Sequence, residues 1–365
     1  MSFDLELYLN RGVRRLVREI SLAAVKHPFL AAYMTRFAMT VKAAGRKRAE
    51  AAAGGEHIPA FLIASITTRC NLHCKGCYAR SNRDCTDEAV EEKSLLSVSE
   101  WDGIFTEAES LGIVFILLAG GEPFVRRDLL AVAAAHEGIL FPVFTNGTMF
   151  DAAAMALLAQ HPNLVPVLSI EGDRKITDAR RGKGTYDKLT AAMAALKKQG
   201  QIFGCSVTVQ KDNLKTVLGN AFVSSVARSG AKAILYVEYV PVDGSSTDLA
   251  PGDPERKYLA ARLAALRKAY PKLVFIAFPG DEQALGGCLA AGRGFFHINP
   301  YGAAEPCPFS PHSDRSLKEV SLREALASPL FQKLRSWDAL AESHVGGCTL
   351  FHQEGKIKAF LEEEK

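Results

Sequence analysis

The chain has 365 residues, 48% of them hydrophobic, with eight cysteines and a formal net charge of +4. That length suits one barrel-sized domain with an appendage, and so small a charge argues against a nucleic-acid partner. The N-terminus, Met1-Ser2-Phe3-Asp4-Leu5-Glu6, has no basic or apolar signal region, and no apolar run reaches the ~18 residues of a membrane span. A cytoplasmic location is expected, where eight cysteines favour metal binding over disulfides.

The positive charge sits at the front: residues 1–59 hold ten Lys/Arg against five Asp/Glu. Residues 5–25 read as a helix with Leu9, Val13, Leu16 and Ile20 on one face and Arg11, Arg14, Arg15 and Arg18 near the other. A second helix, roughly 28–44, carries Phe29, Leu30, Tyr33, Met34, Phe37 and Val41 as a thick stripe. The stripe fits two settings. It can pack on the rest of the chain or a second copy, or residues 1–48 can lie as a basic amphipathic hairpin on an anionic membrane.

After Gly54-Gly55 comes an apolar run, 61–67, short enough for a buried strand. It leads into Cys70-Asn71-Leu72-His73-Cys74-Lys75-Gly76-Cys77-Tyr78, three cysteines on a loop at a strand's C-terminal end, where parallel α/β folds place their chemistry. A [4Fe–4S] cluster held by three thiolates keeps one iron open. A structural zinc site would need a fourth ligand, and His73 lies inside the loop, where it can hardly reach the same metal.

Cys70, Cys74, Cys77 and the following Tyr78 resemble the signature loop of the radical S-adenosylmethionine (SAM) superfamily. The resemblance implies a cluster whose open iron chelates SAM, reductive cleavage to a 5′-deoxyadenosyl radical, and hydrogen abstraction from substrate. Reduced flavodoxin or ferredoxin is the donor expected of such an enzyme, and an exposed cluster suggests an anaerobic setting.

Strands and helices then alternate. A capping-box pattern at Ser99-Glu100-Trp101-Asp102 opens a helix, and strands are expected at 113–118, 139–145, 164–170, 202–209 and 233–240. With 61–67 these make six parallel units, too few to close an eight-fold barrel, so the expected fold is α/β, a partial (β/α)₆ TIM-type barrel. The resemblance implies the same architecture. Strand two ends in Gly120-Gly121-Glu122-Pro123, which resembles the family's GGEP motif and implies that Gly120, Gly121 and Glu122 hold the methionine amino group of SAM. Asn146 ends strand three. Ser169 and Glu171 end strand four and could bond a ribose, with Arg181 pairing to the SAM carboxylate. The Tyr236–Pro241 stretch would line the adenine or substrate side, and Cys205 on strand five reads as a buried small residue.

Beyond the barrel lie an apolar strand near Lys272–Phe278, a hairpin of Phe295–Asn299 and Ala303–Pro306, and a helix over Leu322–Leu340. Cys288, Gly302 and Cys307 have the spacing that opens a SPASM/Twitch auxiliary-cluster domain, although the dense cysteine cluster of the full SPASM pattern is missing. The resemblance implies a second [4Fe–4S] cluster on Cys288, Cys307 and Cys348, with Cys85, His297, His312 or the substrate as fourth ligand. The expected units are residues 1–59, 60–280 and 281–365. The expected substrate is a peptide, protein or cofactor-like molecule, or a lipid at the membrane surface. An iron–sulfur electron carrier without radical chemistry is the alternative of a different class.

Overall fold

The computed structural model describes residues 28–363, apart from residues 243, 245, 283–285, 338–339 and 341–346. The helix expected at 5–25 lies outside the described residues. Seven parallel strands, β1 (Phe61–Ser65), β2 (Phe115–Ala119), β3 (Phe141–Thr145), β4 (Leu164–Ser169), β5 (Gly204–Val209), β6 (Ala233–Glu238) and β7 (Val274–Phe278), lie side by side in chain order. The curled sheet they form is a partial TIM-type barrel. The six expected strands all form, within two residues at each start. The apolar run near 272–278 adds a seventh, paired with β6 from Ala233↔Val274 to Val237↔Phe278.

The other side of the sheet is extended too. The short β8 (His297–Ile298) pairs parallel with β1, and β9 (Ala304–Glu305) returns antiparallel to it. The C-terminal hairpin therefore belongs to the same sheet, next to the strand that feeds the cysteine loop.

Alternating burial along the strands turns Leu62, Ala64, Ile116, Leu118 and Val143 into one core with the helices that follow. The cap of the helix Val98–Leu111 lies two residues before the expected box. It is Ser97, accepting from the Glu100 amide at 3.2 Å while the Glu100 carboxylate takes the Ser97 N–H at 2.6 Å. The C-terminal helix is two helices, Leu322–Leu326 and Pro329–Ser336, because Pro329 cannot continue the first and Ser328 caps the second.

The helix Pro28–Ala53 runs past Gly45 and buries Tyr33, Met34, Phe37 and Val41 against Val114, Leu140 and Ile202. Those three residues precede β2, β3 and β5, so the helix covers the N-terminal end of the barrel. The stripe is thus spent on the fold rather than on a bilayer; among its members only Phe29 stays largely exposed, at 58%. No helix among the described residues is long and apolar enough to cross a membrane.

Candidate active site at the barrel mouth

With one end covered, the C-terminal strand ends form the open mouth, and the cysteine loop lies across it. β1 leads through Thr67 and Thr68 into Cys70, Cys74 and Cys77, all half-buried free thiols. The glycines after β2 are required by how closely the chain passes. A Cβ on Gly121 would stand 2.0 Å from the Arg69 carbonyl oxygen, and one on Gly120 would stand 2.6 Å from that of Thr67. That proximity lets the Gly121 N–H reach the Thr67 oxygen at 2.9 Å and the Glu122 N–H reach the Arg69 oxygen at 2.8 Å. The second strand end is thus stitched to the lead-in of the cysteine loop.

Glu122 is buried, and both carboxylate oxygens are engaged. One accepts from Thr145 Oγ1 at 2.7 Å and the Phe124 amide at 3.1 Å, the other from the Asn146 amide at 2.7 Å. Burial outweighs these donors and pushes its carboxyl up to about 7. Asn146 in turn donates to Asn71 Oδ1 at 2.8 Å, with Cys70 Sγ at 4.0 Å, so the end of β3 grips the loop directly.

The end of β4 carries the charged part. Glu171 is wholly buried and takes Arg180 Nη1 at 2.6 Å, Arg181 Nε at 2.8 Å and the Thr208 amide at 3.0 Å. The carboxylate expected at a ribose is occupied with anchoring two arginines, and those arginines hold it below the usual carboxylate range against the effect of burial. Arg181 reaches on to Cys74, with Nη1 3.8 Å from Sγ. The Arg180 carbonyl accepts the Lys75 amide at 2.9 Å. Ser169 shares a hydrogen bond with Ser206 at 3.1 Å.

Tyr78 meets the Phe309 ring edge-on, centroids 5.3 Å apart, while Asn82 bonds the Pro308 carbonyl at 2.8 Å. The segment after the first triad therefore packs on the segment that carries Cys307. Cys85, one of the candidate fourth ligands for the C-terminal site, stands elsewhere. Its buried thiol faces Cys70 and, with the Leu72 N–H and Arg80, draws the Cys70 thiol down. His73 pairs with Asp87 at 2.7 Å on the surface.

Cys288, Cys307 and Cys348 lie near one another although the outer two are 60 positions apart in sequence: the charge of Cys348 raises the Cys288 thiol, and those of Cys348 and Cys288 raise Cys307. Burial is the larger cause; it pushes Cys348 up to about 12. Glu282 is buried beside them and pushed up to about 8 by the same desolvation. Glu238, at the end of β6, ties this site to the sheet by accepting from the Gly347 amide and Arg256 Nε, each at 3.0 Å. The sequence places Glu238 only in a stretch expected to line the adenine or substrate side, with no sign of this tie.

His297 and His312 also have other partners. His297 Nε2 shares a 2.8 Å hydrogen bond with Ser65 Oγ, and its Nδ1 is 2.7 Å from Glu305, which also accepts from Asn299 at 2.7 Å. His312 pairs with Glu354. The first triad, half-exposed with N–H and guanidinium donors aimed at its sulfurs, suits an iron–sulfur cluster. The second, with Cys288 and Cys307 buried and Cys348 half-buried, needs a positive partner to ionise. Among the described residues no three His, Cys, Asp or Glu side chains are placed to hold a single metal ion.

The sequence pattern of the Radical SAM superfamily matches residues 64–218. Fe-coproporphyrin III synthase of Methanosarcina barkeri is 30% identical over 159 residues, 43% of this chain and 38% of that protein. PqqA peptide cyclase of Rhizobium meliloti is 27% identical over 296 residues, 77% of this chain and 76% of that one. The chain thus spans well under two thirds of the first relative and about three quarters of the second. Streptococcus suis SuiB bound to precursor peptide SuiA has a similar fold, with a TM-score of 0.66 at 18% identity over 83% of this chain and 75% of SuiB.

Proposed function

We propose that this chain, a radical SAM enzyme by the domain it carries over residues 64–218, holds a SAM-binding [4Fe–4S] cluster on Cys70, Cys74 and Cys77 and modifies an unactivated C–H position of a peptide or cofactor-like substrate. The observation that supports this most is the convergence of strand ends on one loop. Gly121 and Glu122 after β2, Asn146 after β3 and Arg181 after β4 all bond the cysteine loop or its lead-in. When bound, the cluster supplies the electron that splits the sulfonium of SAM into methionine and a 5′-deoxyadenosyl radical.

The protein's part is to position. Gly120, Gly121 and Glu122 bound the side of the methionine amino group, Ser169 the ribose side, and Arg180 and Arg181 supply positive charge for its carboxylate. Tyr78 backs the cluster loop on the side of the second triad. Cys288, Cys307 and Cys348 hold a second [4Fe–4S] cluster in a unit of residues 281–365 that follows a barrel of residues 60–280. Reduced flavodoxin or ferredoxin delivers the electron in the cytoplasm. Likeness to a peptide cyclase over 77% of the chain supports a peptide substrate, and likeness to an AdoMet-dependent heme synthase over the same share supports a cofactor-like one.

Anaerobic reconstitution of the wild type and of a Cys70/Cys74/Cys77→Ala variant tests this. We expect about eight iron atoms per chain falling to about four, with 5′-deoxyadenosine formed under strong reduction by the wild type alone. A loaded wild type that yields none would overturn the reading and leave an electron carrier.

A further inference from the structure

Two of the three loop sulfurs meet donors of different kinds. Cys70 Sγ faces neutral donors, the Leu72 N–H at 3.4 Å and the Asn146 amide at 4.0 Å. Cys74 Sγ faces a guanidinium, Arg181 Nη1, at 3.8 Å. That guanidinium is not an arm swinging in solvent. Its Nε and Nη2 hold one Glu171 oxygen at 2.8 and 2.6 Å, and the Glu171 side chain has no exposure. The Thr208 amide takes the other oxygen, and Arg180 shares the first. One carboxylate facing two guanidiniums leaves a net positive charge against the thiol loop.

We propose that Arg181, held by Glu171, donates to the Cys74 thiolate and sets the reduction potential of the cluster on this loop. The inference rests on the function proposed above and adds to Arg181 a role that needs no SAM. An oxidised four-iron core on three thiolates carries about one negative charge and gains about one more on reduction. A charged donor at sulfur stabilises the more negative state, because hydrogen bonds to ionised partners are stronger than neutral ones. Glu171 acts in the opposite sense on charge, while keeping the guanidinium in place.

The test is an EPR-monitored redox titration of the reconstituted full chain without SAM, following the signal that Cys70/Cys74/Cys77→Ala abolishes. Arg181→Met is expected to make the midpoint more negative, and Arg181→Lys to restore part of the difference. Glu171→Gln is expected to move it the other way, since both guanidiniums then lack their counter-charge. A midpoint unmoved in Arg181→Met would overturn the inference, as would shifts of the same sign in Arg181→Met and Glu171→Gln. Weaker SAM binding with an unmoved midpoint would make Arg181 a carboxylate clamp only, and equally overturn it. Absence of the signal from the wild type would instead overturn the proposed function.

Discussion

The two cysteine triads are built in opposite ways. Cys70, Cys74 and Cys77 sit within eight residues on one half-exposed loop, backed by a backbone N–H, a side-chain amide and a guanidinium. Cys288, Cys307 and Cys348 come from three separate segments and meet in the interior, with the thiols of Cys288 and Cys307 held far above their ordinary range by desolvation. In the first site the Cys70 thiol is drawn down before any metal arrives, while burial raises Cys74 against the pull of Arg181 and Arg180. The second can carry negative charge only once a cation arrives. Local geometry makes one, and the tertiary fold makes the other.

Substitution at the stitch between β2 and the loop is the sharpest way to break the first site. Gly121→Ala would push a methyl into the Arg69 carbonyl, and backbone cannot yield as a side chain can. Deoxyadenosine formation should fall by about a hundredfold or more, while iron at the second triad stays. Deoxyadenosine output near the wild-type level would show that the loop does not need this close approach.

Cys307→Ala attacks the other member of the comparison. It should remove about four iron atoms and leave deoxyadenosine formation within several-fold of wild type, because the contacts around Cys74 and Glu122 do not involve it. Loss of both clusters would mean that the two sites assemble as one.

Loading should also separate them by pH. Thiolate is the binding form, so every raised thiol releases a proton as metal binds and affinity climbs with pH. Lowering the pH from about 8.5 to about 6.5 should empty the second triad several-fold more than the first. Iron content of Cys70/Cys74/Cys77→Ala reports the second triad and Cys307→Ala the first. Parallel curves would erase the distinction.

The smallest expected effect lies between the sites. Asp84 is buried, its Oδ2 has no hydrogen-bond partner among the described residues, and burial pushes its carboxyl up to about 7. A carboxyl raised in the folded state contributes stability in full below the ordinary carboxylate range, and that contribution is lost as pH rises through about 7. Asp84→Asn should therefore raise stability by about 1–2 kcal/mol at pH near 8 and change little at pH near 5, read by denaturant unfolding.

The first site and the barrel were legible because their signals are local: alternating strands, a cysteine loop directly after one of them, and glycines at the next strand end. The three distant cysteines were legible only as a set, through a resemblance in spacing. Their candidate partners were not, since Cys85 was as close as any cysteine in sequence to either triad's neighbourhood, yet the fold turns it to Cys70. Glu171 was read as a ligand contact because it stands at a strand end, whereas its burial and two arginines become visible only in three dimensions. The stripe on the helix Pro28–Ala53 was equally compatible with a bilayer and with a barrel floor; packing against Val114, Leu140 and Ile202 decides it for residues 28–53.

The hairpin that brings Cys307 to its place also determines which strands of the sheet are left open. β1 bonds the lead-in to β8 through the Ile63 amide and the Phe296 carbonyl at 3.0 Å, and behind that contact Ser65 is held to His297, which is held in turn by Glu305. A chain cut before residue 290 would leave β1 as a bare, apolar strand with unpaired backbone groups, ready to add a strand from another copy. The C-terminal segment is thus also a sheath against self-association, and shortened versions of this enzyme should precipitate even where no cluster is required of them.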